Sequence, residues 1–186
     1  MQDRRGAFVQ TGLFVSAGAF KDDGKMNLII GGDGLIGRAL RSSGVWTSRR
    51  GEDPFDLRGD PMRLPPADVV YLVAGIASFR GCEQPGAYEV NVDGNLRVAH
   101  RFKDAFIVFL SSEAVVSCPN TALGRMKSLT EIGLLSIVGY ENLAVVRPGK
   151  VTPENVGQLC DFLEKVGNER RYGVHAWQSS YFKEPT

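Results

Sequence analysis

The sequence predicts a doubly wound parallel α/β sheet in a single domain. Three observations carry that reading: short, wholly apolar runs alternate with longer segments of helical spacing; the runs are bounded by glycine and polar turns; and a glycine-rich turn follows the first of them directly. Continuous apolar strands are buried on both faces, which requires helices above and below the sheet. The length of 186 residues suits one domain, and 43% hydrophobic with 23% charged residues is an ordinary globular composition.

Asn27–Ile30 is the first predicted strand, and Leu35–Leu40 then has helical spacing. Val45–Ser48 is a second strand and Val69–Ala74 (VVYLVA) a third, apolar throughout and therefore central. Gly86–Phe102 reads as a helix with Val90, Val92, Leu96 and Val98 among its apolar positions. Phe106–Leu110 (FIVFL) is a buried strand, followed by a helix over Thr121–Ile137 with Leu123, Met126, Thr130 and Leu134 at 3–4 spacing. Leu143–Val146 is a strand closed by Arg147-Pro148-Gly149; Pro153 opens a helix to about Val166, and Tyr172–Trp177 is the last strand.

Residues 1–25 are expected to lie outside this core as an extension or the product of an upstream start, leaving 26–186 as the folded domain. Arg4 and Arg5 before a mildly apolar stretch, with Ala17-Gly18-Ala19 after it, have the ingredients of a signal peptide, but Gln10, Thr11 and several glycines interrupt the stretch.

Composition excludes several functions. The net charge of +1 offers no basic surplus for nucleic acid, and no apolar run of ~18 residues marks a membrane span. Cys82, Cys118 and Cys160 are widely spaced and odd in number, which reads as reduced thiols in a cytoplasmic protein, with no metal-ligand spacing. His100 and His175 read as structural, and G-x-S-x-G is absent, so a Ser-His-Asp hydrolase has no support.

The informative segment is Gly31-Gly32-Asp33-Gly34-Leu35-Ile36-Gly37. Gly31 permits a tight turn, Gly34 lets a pyrophosphate approach the backbone, and Gly37 lets helix and strand pack closely. Leu35 and Ile36 open the helix whose N–H groups face the phosphates. Beyond the second strand the chain reads Thr47-Ser48-Arg49-Arg50, with no acid before Glu52. Hydroxyls and guanidiniums suit a 2′-phosphate, so Ser48, Arg49 and Arg50 predict NADP in preference to NAD.

In that order along the chain, the sequence resembles the extended or atypical short-chain dehydrogenases/reductases, the NAD(P)-dependent epimerase/dehydratase and sugar-nucleotide reductase group. The glycine turn resembles their first motif; Asp56-Leu57 resembles the pair bordering the adenine; Leu72-Val73-Ala74-Gly75 resembles the segment lining the cofactor. Asn91-Val92-Asp93-Gly94-Asn95 resembles their N-V-x-G-T helix, Phe109 to Val115 (FLSSEAV) their serine-bearing strand end, and Arg147-Pro148-Gly149 their R-P-G turn. The resemblance implies a Rossmann-like fold, a nicotinamide dinucleotide, a nucleotide-sugar or similar carbonyl substrate, and a homodimer formed by the helices Gly86–Phe102 and Thr121–Ile137. It implies that Ser112 binds the substrate oxygen and that Lys127 holds the ribose.

The departures are equally specific. The family's Tyr-x-x-x-Lys pair is here Leu123 and Lys127, and leucine has no proton to give. General acid–base help is worth ~10²–10⁴ in rate. Neither Tyr88 nor Tyr140 lies where it would substitute, which leaves water or Glu113 as donor. The dehydratases' Asp-Glu pair is Glu113-Ala114 here, against that activity, and the segment after Gly149 is too brief for a full substrate lobe. Two functions follow: a minimal NADP-dependent reductase or epimerase using Ser112, Glu113 and Lys127, or a catalytically inactive NADP-binding sensor, scaffold or subunit. A fold relic that binds nothing is a third.

Overall fold

In the computed structural model, which describes residues 26–47, 49 and 54–178, six parallel strands form one sheet in the order β2-β1-β3-β4-β5-β6. The strands are β1 (Asn27–Ile30), β2 (Val45–Trp46), β3 (Val69–Leu72), β4 (Phe106–Leu110), β5 (Leu143–Pro148) and β6 (Gly173–Trp177). The predicted doubly wound, Rossmann-like α/β architecture is therefore the observed one. The chain leaves β1 toward β2 on one side and returns to β3 on the other, so the order reverses between β1 and β3. In open α/β sheets the crevice at such a reversal is where ligands sit.

Period-two alternation explains why the strands read as unbroken apolar runs. Leu28, Ile30, Val70, Leu72, Ile107 and Phe109 enter one core with Val98, Ala99, Leu134 and Val138. Their alternating neighbours Ile29, Val69, Tyr71, Phe106 and Val108 enter a second core with Leu159, Leu163 and Val166. The first core lies under α3 (Asn95–Arg101) and α5 (Ala122–Val138), the second under α6 (Val156–Asn168). Leu159 and Leu163 are completely buried, each contributing about 2 kcal/mol by removal from water.

Boundaries differ from the sequence reading where side chains capture backbone. The strand expected over Val45–Ser48 ends at Trp46, although Thr47 N–H still donates to Ile29 O (2.9 Å). The third strand stops at Leu72, and the fifth runs on to Pro148, because Pro148 pairs with Trp177 of β6. The helix expected from Pro153 begins at Val156: Asn155 accepts from Thr152 N–H (2.8 Å) and donates to Lys150 O (3.0 Å), holding a turn ahead of it. The last strand begins at Gly173, one residue after Tyr172.

The helix expected over Gly86–Phe102 is two elements, a π-helical stretch over Glu89–Gly94 and then α3. Two short helices were not expected, α2 (Phe79–Cys82) and α4 (Ala114–Ser117). The helix over Leu35–Ala39, α1, and α5 match their predictions to within a residue at each end. Thr121 caps α5 by accepting from Gly124 N–H (3.1 Å), worth about 1 kcal/mol. No helix among the described residues is long and apolar enough to cross a membrane. Residues 1–25, together with Ser48, Arg50 and Glu52, lie outside the described residues.

Candidate functional site

Two cavities open at the carboxyl ends of the strands and share Gly34, Val73, Ala74 and Gly75. The first, about 350 Å³, lies between the glycine turn, the end of β2 and the Asp56-Leu57 segment. The second, about 580 Å³, runs past α1 to Ser112, Glu113, Leu123 and Lys127. Both meet at the strand-order reversal between β1 and β3.

The turn is built as its glycines require. Gly31 has φ +108°, a left-handed conformation open to glycine, and a Cβ there would lie 2.7 Å from the Ala74 backbone. A Cβ on Gly37 would lie 2.0 Å from Gly31 O, so any larger residue would push α1 off the turn. Gly34 is exposed to the cavity, where a Cβ would meet Gly31 O at 3.5 Å, an ordinary contact. The turn is pinned to β2 by Gly31 N–H donating to Thr47 Oγ1 (3.1 Å) and Gly32 N–H to Thr47 O (2.9 Å).

Asp56 is held by Arg58, whose Nε donates to Oδ1 at 2.9 Å, and this guanidinium keeps the Asp56 carboxyl below its usual range. Leu57 is buried, and its carbonyl accepts from Arg97 (2.8 Å), which fixes this wall against α3.

Lys127 forms the floor where the cavities approach each other. Its Nζ donates to Leu110 O (2.7 Å) and lies 4.7 Å from the Phe109 ring centroid. It is buried, and burial lowers its pKa from 10.5 to about 8. Leu123, four residues earlier, is also buried and packs with Cys82 and Ala114 against Ile76, Cys118 and Met126. The position that would carry a phenol is thus filled by hydrocarbon. None of Tyr71, Tyr88, Tyr140 and Tyr172 lines either cavity, nor do His100 and His175.

Ser112 is half-buried; its Oγ accepts from Ala114 N–H (3.1 Å), leaving the hydroxyl proton for another acceptor. Glu113 is exposed at the rim, and its backbone N–H is fixed on Pro148 O (3.0 Å). Cys118 lines neither cavity. Among the described residues no group of three or more His, Cys, Asp or Glu is placed to hold a metal ion.

The structure brings Gly31, Gly34, Arg49, Asp56, Leu57, Ala74 and Gly75 to the first cavity. It brings Gly34, Leu35, Ile36, Gly37, Ser112, Glu113 and Lys127 to the second. Ser48 and Arg50 fall outside the described residues.

Two arrangements escaped sequence reasoning. Asn91 accepts from Ile76 N–H (2.7 Å) and donates to Ile76 O (2.9 Å), clamping the loop after β3 from the π-helical stretch. Such stretches often accompany functional sites. The second is an ion pair behind Lys127. Arg147 donates to Glu131 through Nε (3.0 Å) and an η nitrogen (2.5 Å), and Ser111 donates to the same carboxylate. It ties α5 to the ends of β4 and β5. The only signal was Glu131 standing four residues after Lys127, one helical turn on.

No family model matches the sequence, and no curated protein matches it. Solved structures do match the fold. The dTDP-4-dehydrorhamnose reductase of Bacillus anthracis str. Ames, solved with NADP, superposes with a TM-score of 0.67 at 14% identity, over 81% of this chain and 73% of its own. The oxidoreductase ylbE of Lactococcus lactis gives 0.65 at 14% identity, over 83% of this chain and 91% of its own. A short-chain dehydrogenase/reductase superfamily protein of Agrobacterium tumefaciens with bound NAD gives 0.52 at 21% identity, over 66% of this chain and 48% of its own. At these identities the likeness establishes a shared Rossmann-type fold.

Proposed function

We propose that this chain is an atypical short-chain dehydrogenase/reductase that binds a nicotinamide dinucleotide across the two cavities, NADP in preference to NAD, and acts on a nucleotide-sugar or similar carbonyl. The observation that carries the reading is the meeting of the Gly31–Gly37 turn and the buried Lys127 at the strand-order reversal between β1 and β3. The residues fit a dinucleotide: Gly34 leaves backbone open to a phosphate, and Lys127 offers a buried cation beside Gly75 for a ribose. Bound there, the nicotinamide would supply hydride. Thr47, Ser48, Arg49 and Arg50 supply the hydroxyls and cations for a 2′-phosphate. Asp56 and Leu57 border the adenine, with Leu35, Ile36, Gly37 and Ala74 along the cofactor's path.

Ser112 hydrogen-bonds the substrate oxygen through its hydroxyl, and water or Glu113 at the rim delivers the one proton that a tyrosine would otherwise give. Lys127 orients the ribose and works on no phenol. The domain is 26–186, placed in the reducing cytoplasm where the three thiols stay free. A second copy packs on α5, where Leu129 (48% exposed), Ile132 (61%) and Leu135 (45%) form an open apolar stripe.

One observation favours a second reading, an inactive NADP-binding sensor, scaffold or subunit: Leu123 is packed into hydrocarbon, and no described tyrosine reaches the cavities. Calorimetric titration with NADPH, with Gly34→Val as control, tests binding; the expected result is saturable binding lost in the variant. NADPH consumption with a panel of nucleotide-sugars separates the two readings, and turnover by the wild type eliminates the inactive one.

A further inference from the structure

The first cavity contains a carboxylate where the order of residues along the chain shows none. Sites that favour NAD place an acid at the end of the second strand to accept from the ribose hydroxyls, and sites that favour NADP place cations there. After β2 this chain reads Thr47-Ser48-Arg49, without an acid. In space the acid comes from the turn after β1. Asp33 Oδ2 accepts from the backbone N–H of Arg49 (2.9 Å), and Oδ1 accepts from Arg41 (3.2 Å). Arg41 is itself anchored: its Nε donates to Gly32 O (2.9 Å), and its guanidinium lies 3.7 Å from the Trp46 ring centroid. Asp33 and Arg49 line the same cavity.

We infer that Asp33 is the specificity-determining residue of this cavity, supplying from the glycine turn the ribose-binding carboxylate that β2 lacks and so admitting NAD beside NADP. This rests on the dinucleotide reading above. A 2′-hydroxyl donates to the carboxylate. A 2′-phosphate carries most of two negative charges at neutral pH, so it competes with Asp33 for Arg41 and for the Arg49 amide. The arginines and the aspartate thus pull the choice of cofactor in opposite directions, and the Asp33–Arg41 pair sets the balance.

The test is calorimetric titration of the full chain with NADH and NADPH. Asp33→Asn keeps an acceptor for the Arg49 amide and removes the charge; the ratio Kd(NADH)/Kd(NADPH) is expected to rise about tenfold, the discrimination of one hydrogen bond to a charged group. Arg41→Gln removes one cation that a 2′-phosphate would use, and the ratio is expected to fall. If Asp33→Asn does not fold, as judged by circular dichroism, Asp33→Ser decides: a rise in the ratio supports the inference, and no change or a fall overturns it. An Asp33→Asn ratio within twofold of wild type, or moving toward NADH, overturns the role of Asp33 and leaves dinucleotide binding standing. A wild type that binds neither dinucleotide overturns both.

Discussion

Replacing Lys127 by methionine is expected to stabilise the protein at neutral pH and to lose that advantage in alkali. The Lys127 ammonium has left water almost completely, with 7% of the residue exposed, and gains in exchange the Leu110 carbonyl and the Phe109 ring. Those partners fall short of its hydration, so its pKa drops from 10.5 to about 8. At about 1.4 kcal/mol per pH unit, this gap makes the buried charge cost about 3 kcal/mol below pH 8. Methionine has similar length and no charge, but it leaves Leu110 O without that donor, a loss of about 1–2 kcal/mol. The net gain at pH 6.5 is about 1–2 kcal/mol, or ~2–8 °C in Tm for a domain of this size. Between pH 8 and 10.5 the unfolded lysine keeps its proton and the folded one has lost it. The unfolded state then binds more protons, so this group's contribution to wild-type stability rises with pH. By about pH 10 methionine keeps only its disadvantage. The raised pKa values of Cys160 and Tyr71 give an opposite slope, but in both proteins, so they cancel in the difference. Urea unfolding followed by tryptophan fluorescence at pH 6.5 and 9.5 measures it. A variant less stable than wild type at pH 6.5, or a difference equal at the two pH values, refutes the reasoning.

Other substitutions probe the remaining contacts. Asn91→Ala leaves the Ile76 N–H without its side-chain partner and Ile76 O with the Cys82 thiol alone, and is expected to cost about 1–3 kcal/mol in urea melts and to weaken NADPH binding in titrations. Leu123→Tyr adds volume to a tight cluster, with an expected cost of about 1–3 kcal/mol. If Glu113 is a poor stand-in for a phenol, the same variant raises NADPH consumption by ~10²-fold or more on any substrate the wild type accepts. Ile132→Glu places a charge in the α5 stripe and is expected to shift sedimentation from dimer to monomer without lowering Tm; a wild type that is monomeric at high concentration removes the dimer.

What the sequence determined by itself was local or ordered along the chain. Wholly apolar runs such as FIVFL can be satisfied only between two helical layers, so the sheet class followed from composition and periodicity. The glycine turn was legible because each of its glycines answers a backbone requirement, and Leu123 because a missing hydroxyl is visible without a fold. The tertiary structure decided what depends on distance in space. The π-helical stretch at Glu89–Gly94 interrupts a segment whose spacing reads as a plain helix, and its Asn91 grips a loop fifteen residues away in sequence. Glu131, Arg147 and Ser111 come from three elements and meet only after β4, β5 and α5 are packed. Asp33 is the sharpest case. Read along the chain, it is one residue in a glycine turn, and the end of β2 has only hydroxyls and arginines. Parallel pairing of β1 with β2 sets their carboxyl ends side by side, and this brings the Asp33 carboxylate onto the Arg49 amide.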